Sequence, residues 1–292
     1  MKVLITGAGG QLGRALLARV PEKFSVRGVT HEQLDIADAR AVDSALRAFG
    51  PDAVINAAGF TRVDDAEKEI DAARRANAIG PGVLASACRG TASWLVQVST
   101  DYVFDGGQSR PYTAATPPNP LSVYGFTKLE GEQAVVRELP AHSTVVRTSW
   151  VYSAEGRNFL TTMLRLMRTR SELKVVSDQV GAPTSVTGLA QVLWAFAQRR
   201  AAGRYHWCDS GVASWYDFAV AIAEEAVALG VLAALPSIMP IASAAYPSAA
   251  RRPTYSLLDK RDTEELLGVC AAHWRRALRE TLSTCAPAES PA

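Results

Sequence analysis

Tyr124 and Lys128 stand four residues apart, so on a helix they share one face, one turn from each other. A phenol and an ammonium in that relation suit acid chemistry. Tyrosine titrates near about 10, and a neighbouring positive charge favours the phenolate and draws that value down. Thr100, earlier in the chain, stands just past the run Trp94 to Val98, at a strand's carboxyl end, and could bond the same substrate oxygen. Such a trio suits proton donation to a substrate oxygen. The spacing alone also fits a Tyr–Lys pair on a solvated helix face.

A second constellation lies at the N-terminus. Gly7, Gly10 and Gly13 give a G-x-x-G-x-x-G spacing, with Gln11 and Leu12 inside it, between Val3-Leu4-Ile5 and an amphipathic segment. The first glycine permits a tight turn, the second lets a pyrophosphate approach the backbone, and the third lets helix and strand pack closely. The helix N-terminus then offers free N–H groups and the positive end of its dipole. A carboxylate closing the second strand would bond the ribose 2′-hydroxyl of NAD, but here the strand ends Gly28-Val29-Thr30-His31. Asp35 and Ile36, slightly further on, are placed to contact adenine or ribose. Without that repulsive acid a 2′-phosphate is tolerated, so NADPH is the favoured cofactor and NADH remains admissible. His31 reads either as a partner for the phosphate or as a surface residue.

These residues need elements to hold them. Val3–Ile5, Phe24–Val29, Asp52–Ile55, Trp94–Val98 and Thr144–Arg147 read as buried strands. Helix-period stretches alternate with them at Gln11–Val20, Ala39–Phe49, Ala72–Cys88 and around Leu129–Val136. Alternating strands and helices with nearly continuous apolar strands predict an α/β fold, a Rossmann-type doubly wound parallel sheet. The second half is less regular. Helices are expected at Phe159–Met167, Gly188–Arg199, Trp215–Leu229 (opened by Ser214), Thr263–Leu267 and Trp274–Leu282, with a short strand at Tyr205–Trp207. Pro236 to Pro253 is rich in Pro, Ala and Ser and reads as a loop, and 286–292 as a frayed end. The expected division is a dinucleotide-binding domain over 1–150 and a smaller α/β, mainly substrate-binding domain over 151–292. Elements near 188–200 are expected to pack back on the first.

Composition excludes other classes. The 292 residues carry 31 Lys and Arg against 29 Asp and Glu, a net charge of +2 that gives no general reason to seek nucleic acid or an anionic membrane. The cysteines (Cys88, Cys208, Cys270, Cys285) lie too far apart for a metal-ligand spacing or a disulfide framework. Residues 1–5 run straight into glycines, leaving no room for a signal-peptide core, and the apolar stretch Ala226–Ala242 is broken by Gly230, Pro236 and Pro240. A soluble cytoplasmic protein is expected.

Longer strings carry a family resemblance. The glycine loop, Asn56-Ala57-Ala58-Gly59, Ser99-Thr100-Asp101 and Tyr124-x-x-x-Lys128 resemble an extended short-chain dehydrogenase/reductase acting on nucleotide sugars. Thr61, Val63-Asp64, Ser99 through Phe104, Val123-Tyr124-Gly125, Arg147 through Tyr152, Asn158-Phe159, Asp178-Gln179 and Gly181 through Thr184 together resemble the dTDP-4-dehydrorhamnose reductase family, in order over nearly the whole chain.

That resemblance implies reduction of the C4 ketone of dTDP-4-dehydro-β-L-rhamnose to dTDP-β-L-rhamnose, the last step of dTDP-rhamnose biosynthesis. It implies Tyr124 as proton donor, Lys128 holding the nicotinamide ribose and lowering the tyrosine pKa, and Thr100 positioning the carbonyl oxygen. Ala57, Ala58, Gly59, Phe60, Thr61 and Val98 match the surroundings of the cofactor, and Asp101 and Trp150 match positions near the sugar. Trp150 reads equally as an apolar wall for the deoxysugar or as a core residue. Arg252-Pro253, with Ser256 and Asp259, resembles the segment that meets the substrate's diphosphate or base, where an Arg binds phosphate bidentately; a surface loop arginine is the other reading. Related 4,6-dehydratases usually follow Thr-Asp with Glu, and here that place is Tyr102, which favours reduction over elimination and, less strongly, over epimerisation. Where some members carry a first-helix glutamate for a metal-bridged dimer, this chain has Ala15, so no structural metal is expected, and the protein is expected as a monomer or weak homodimer. Gln97-Val98 matches the family only loosely. Two alternatives stay open: a reductase or epimerase of another nucleotide sugar, and a non-catalytic dinucleotide-binding regulatory subunit.

Overall fold

In the computed structural model, which describes residues 1–285, the apolar runs of the first half assemble into one six-stranded sheet. Its strands are β1 (Lys2–Thr6), β2 (Ser25–Val29), β3 (Ala53–Asn56), β4 (Trp94–Thr100), β5 (Ser143–Thr148) and an edge strand at Gly203–Trp207. The order across the sheet is β2-β1-β3-β4-β5 and then Gly203–Trp207, with every pairing parallel. A parallel sheet needs cover on both faces, which is why every residue of β3 and β5 is buried.

One face, through Val3, Ile5, Ile55 and Val96, packs on Leu12 and Leu16 of helix Gln11–Leu17 and on Leu189 and Leu193 of helix Val186–Arg199. The other, through Leu4, Val54, Leu95 and Val145, packs on helices Ala39–Phe49, Gly80–Thr91 and Val123–Glu138. The chain leaves β1 toward β2 on one side and reaches β3 on the other. Ligands of open α/β sheets bind at such a reversal, outside the carboxyl ends of the strands.

A second core gathers Tyr152, Leu160, Met163, Phe218, Ile222, Trp274 and Leu278. It is built from helices Phe159–Met167, Trp215–Ala228 and Trp274–Ser283. Ser214 caps the middle one: the Asp217 N–H donates to Ser214 Oγ at 3.0 Å and the Ser214 N–H donates to Asp217 Oδ2 at 2.8 Å.

Two stretches depart from the sequence reading. The stretch expected as a loop from Pro236 to Pro253 contains a strand, Ser237–Ile241, paired in parallel with Glu172–Val176. Pro240 is tolerated there because an edge strand has N–H positions that need no partner. The helix expected over Ala72–Cys88 is interrupted by a π-helical segment, Arg75–Ile79, before continuing as Gly80–Thr91. The short strand expected at Tyr205–Trp207 is present, as Gly203–Trp207, and extends the main sheet beside β5. The expected frayed end at 286–292 lies outside the described residues. No described helix is long and apolar enough to cross a membrane.

Candidate active site

The glycine loop leaves β1 at Gly7, whose φ of +71° is left-handed backbone that side chains rarely adopt. A Cβ there would also sit 2.6 Å from the Ala58 nitrogen, and one on Gly13 would sit 2.2 Å from the Gly7 carbonyl oxygen. Only hydrogen fits at either place, and backbone therefore forms the floor. The Gly10 N–H donates to the Gly7 oxygen at 3.0 Å, and Gly10 opens helix Gln11–Leu17 with no side-chain cap. The first N–H groups of that helix thus have no partner from a capping side chain.

Leu12 faces the core. The Gln11 side chain turns to the second half: its Nε2 donates to the Val151 oxygen at 3.2 Å, and its Oε1 accepts from Ser153 Oγ at 3.1 Å and Asn158 Nδ2 at 3.3 Å. Its backbone is what it can offer a ligand. Asp35 accepts from the Ala37 N–H at 2.9 Å and Arg75 Nη2 at 2.7 Å; these two hold its carboxyl below the usual range. Ile36 is buried, its Cδ1 where a Cβ on Gly80 would come within 2.5 Å, so its side chain serves the core. His31 is exposed.

A buried polar ladder crosses the strand ends. Thr6 Oγ1 donates to Asn56 Oδ1 at 2.6 Å, Asn56 Nδ2 to Gln97 Oε1 at 2.7 Å, and Gln97 Nε2 to the Val98 oxygen at 2.8 Å. Asn56 Oδ1 also accepts from the Ala58 N–H at 3.1 Å. This fixes Ala57 and Ala58 beside the glycine loop and gives Gln97 a structural task.

Asn77 is the residue that sequence reasoning missed. It lies in the π-helical segment, accepts from the Phe60 N–H at 2.8 Å, and donates to the Phe60 oxygen at 3.0 Å and to Thr127 Oγ1 at 3.2 Å. A Cβ on Gly59 would lie 3.0 Å from Asn77 Oδ1 and 3.9 Å from Lys128 Nζ. The loop Gly59-Phe60-Thr61 is therefore clamped to the helix that bears Tyr124. Asn77→Ala would strand both polar groups of Phe60, at about 1–3 kcal/mol. We expect a lower Tm and roughly tenfold weaker NADPH binding by fluorescence titration; unchanged affinity would dissociate this clamp from the cofactor.

Thr100, Tyr124 and Lys128 do come together, at the carboxyl end of β4. Helix Val123–Glu138 starts at Ser122, whose Oγ accepts from the Gly125 N–H at 3.2 Å. A Cβ on Gly125 would strike the Tyr102 oxygen at 2.2 Å, so glycine lets this end of the helix lie on the strand end. Thr100 Oγ1 donates to Asp101 Oδ1 at 3.1 Å and accepts from the Tyr102 N–H at 3.2 Å, and its hydroxyl faces that of Tyr124. The Tyr124 ring meets Tyr102 edge-on, centroids 5.7 Å apart.

Burial dominates the electrostatics of the three groups. Burial pushes the Tyr124 hydroxyl up to about 12, while the Thr100 hydrogen bond pulls it down and the Asp101 charge pushes it further up. Lys128 Nζ, for its part, donates to the Val98 oxygen at 2.7 Å. Burial also draws Lys128 down to about 8, with Glu132 opposing. Asp101 is raised to about 7 by burial, against the hydrogen bond from Thr100. The phenol thus holds its proton at neutral pH until a basic oxygen arrives.

Trp150 has φ of +47°, a costly conformation for a bulky residue. Its ring stacks on Trp215, centroids 3.6 Å apart and planes 6° apart, and Phe159 adds to the group at 4.6 Å from Trp215. Both tryptophans are half-buried, and Trp215 joins Trp150 in this aromatic wall.

Arg252 is not a free fork. Its Nη2 and Nη1 donate to Asp64 at 2.6 and 3.1 Å, and Nη1 also to Ser248. Burial would raise Asp64, but Arg252 and the Ala250 N–H hold it down to about 2. The expectation of a guanidinium open to a diphosphate is replaced by a tether between the Ser248–Arg252 loop and helix Val63–Ala66. Ser256 is buried near Trp150, and Asp259 pairs with Arg261. Among the described residues no group of three or more His, Cys, Asp or Glu is placed to hold a metal ion, and Ala15 lies in the core.

Comparison with known proteins gives a consistent picture. The family profile described as the RmlD substrate binding domain matches residues 1–286. The spore coat polysaccharide biosynthesis protein SpsK of Bacillus subtilis is 42% identical over 283 residues, 96% of each chain. The dTDP-4-dehydrorhamnose reductase of Aggregatibacter actinomycetemcomitans is 41% identical over 286 residues, 95% of this chain and 97% of that one. The crystal structure of the dTDP-4-dehydrorhamnose reductase of Bacillus anthracis in complex with NADP superimposes with a TM-score of 0.90 at 34% identity, covering 96% of this chain and 98% of that one.

Proposed function

The chain belongs to the RmlD substrate-binding-domain family, and from that premise we propose that it reduces the C4 ketone of dTDP-4-dehydro-β-L-rhamnose to dTDP-β-L-rhamnose. It is an NADP-dependent oxidoreductase of dTDP-rhamnose biosynthesis. The observation that carries the reaction type is the meeting of Thr100, Tyr124 and Lys128 at a strand end beside the glycine loop. We place the protein in the cytoplasm as a monomer or weak homodimer, with no part for membrane or nucleic acid.

The residues present fit a dinucleotide: a Cβ on Gly7 or Gly13 would fill the cradle, and the helix behind it starts uncapped. Gly7, Gly10 and Gly13, with the backbone of Gln11 and Leu12, would take the pyrophosphate. Ala57 through Thr61 and Val98 would line the nicotinamide half, with Lys128 on its ribose. Asp35 and Ile36 would border the adenosine through backbone and the Asp35–Arg75 edge. The end of β2 offers no carboxylate against a 2′-phosphate, which supports NADPH over NADH. When bound, NADPH supplies the hydride that turns the ketone into an alkoxide.

The chain's own residues do the rest. The Thr100 hydroxyl bonds the sugar's C4 oxygen and orients it. The Tyr124 hydroxyl gives its proton to that oxygen as negative charge develops there, which a buried, protonated phenol is suited to do. Trp150 and Trp215 present an apolar wall to the sugar's C–H groups and methyl, with Asp101 on its polar side. Arg252, tied to Asp64, would hold the Ser248–Arg252 loop beside the nucleotide end of the substrate. Elimination lacks its base: Tyr102 stands where a carboxylate would be needed, and burial raises its hydroxyl far above the ordinary range.

Lys128 titrates at about 8, and its working form carries the charge. Activity is therefore expected to hold below about pH 8 and to fall as pH rises through it, while Tyr124 stays protonated throughout. A profile of kcat/KM that instead rises through this region would contradict the assignment.

The reading is tested by adding dTDP-4-dehydrorhamnose, generated in situ, to protein and NADPH, and following the loss of reduced nicotinamide absorbance. Turnover is expected. Turnover only with a different keto sugar would move the substrate. NADPH binding with no turnover of any keto sugar would make the protein a dinucleotide-binding subunit.

A further inference from the structure

We propose that the buried ion pair between Glu132 and Arg147 is a positioning device for Lys128, locking the helix that carries Tyr124 and Lys128 to the strands that end at Thr100. This rests on the reductase reading above and adds two residues to it that do not touch the substrate.

The pair is sealed: the side chains are 0% and 2% exposed. Arg147 Nε and Nη2 donate to the two Glu132 oxygens at 2.9 and 2.7 Å, and Ser99 Oγ donates to Oε1 at 2.5 Å. Ser99 and Arg147 are register partners across β4 and β5, so one carboxylate is gripped from both strands. Glu132 follows Lys128 by one helical turn, on the same face. Val98, which accepts the Lys128 ammonium, immediately precedes Ser99. Helix and strand are thus joined at two consecutive strand residues by two consecutive turns of helix, and Thr100 comes next along the strand.

Stability does not call for such a pair. Removing two charges from water costs several kcal/mol each, and well-packed apolar side chains commonly do as well or better. The helix is already pressed into place without it, because Cβ atoms on Gly125 and Gly131 would strike the Tyr102 and Asn77 oxygens at 2.2 and 2.0 Å. What those contacts do not fix is the height and rotation of the Lys128 turn against β4. A carboxylate held by three donors does. Further groups enclose the pair: Arg204 Nε lies 3.8 Å from Glu132 on the edge strand, the Arg147 guanidinium carbon lies 5.1 Å from the Phe104 ring centroid, and His206 behind it is held neutral by burial and by Arg147. Glu132 also supplies the negative charge that opposes the effect of burial on Lys128.

Two variants decide it. Glu132→Gln keeps shape and removes the charge. The double variant Glu132→Leu/Arg147→Met removes the pair without stranding a buried charge, and is expected to keep the parental Tm within a few degrees. In both, kcat should fall by about tenfold or more, and NADPH affinity, titrated by fluorescence, should weaken by about fivefold, while KM for the dTDP-sugar stays within about twofold. If Glu132→Gln does not fold, the double variant carries the decision. A double variant with parental Tm, parental kcat and parental NADPH affinity would overturn the proposal. If the parent enzyme itself fails to turn over the sugar, the reductase reading falls, and the NADPH titration still separates a displaced Lys128 from an undisturbed one.

Discussion

Tyr124→Phe is expected to lower kcat by about a thousandfold while leaving NADPH affinity and Tm near parental values. The variant removes one oxygen and little else. The phenyl ring keeps its edge contact with Tyr102 and the Ser122 cap beneath it, so the helix and Lys128 remain placed. What disappears is a neutral acid, protonated across the working range because burial raises it to about 12, at the position that meets the developing alkoxide. Thr100 and water can still hydrogen-bond that oxygen, which sets a residual rate above zero. KM for the sugar should change little, since the lost interaction grows chiefly in the transition state. Activity within tenfold of the parent would mean that another acid supplies the proton, and Asp101, raised to about 7 and bonded to Thr100, would be the first to examine.

Gly13→Ala is expected to weaken NADPH binding by at least about a hundredfold and to destabilise the fold by about 3 kcal/mol. The new Cβ would lie 2.2 Å from the Gly7 oxygen and 2.6 Å from the Ala8 Cα, all backbone with nowhere to go. Helix Gln11–Leu17 would have to lift from β1, pulling Leu12, Ala15 and Leu16 from the core and breaking the cradle at once. Gly9→Ala is the matched control: its Cβ would meet Thr30 Cγ2 at 3.5 Å, an ordinary contact, so binding should change by less than about twofold. Equal effects in the two variants would show that packing at Gly13 is not what the spacing provides.

The features legible in the sequence were those set by short-range spacing. A strand, three glycines and a helix, or a Tyr and Lys one turn apart, are fixed by local geometry, and each stands in the structure where its period placed it. Long-range partnership left no such trace. The strand Ser237–Ile241 pairs with a segment more than sixty residues earlier, and its Pro, Ala and Ser composition hides a pattern that only Glu172–Val176 completes. Asp64 and Arg252 meet across 188 residues, and a lone loop arginine gives no sign of whether its fork is free. Asn77 escaped because a π-helical segment shifts the register, so a period of 3.6 places it wrongly. The burial of Tyr124 left no trace either: the Lys128 spacing is visible, but burial, which raises the phenol, is a property of the assembled site.

The central claim is that this chain places a hydride on C4 of a dTDP-4-keto sugar. The most direct test supplies NADPH deuterated at the transferring position together with dTDP-4-dehydro-β-L-rhamnose, and locates the label by NMR. The account predicts dTDP-β-L-rhamnose with deuterium at C4 of the sugar and nowhere else. Unlabelled sugar, label at another carbon, or a rearranged keto sugar without net oxidation of the cofactor would contradict it.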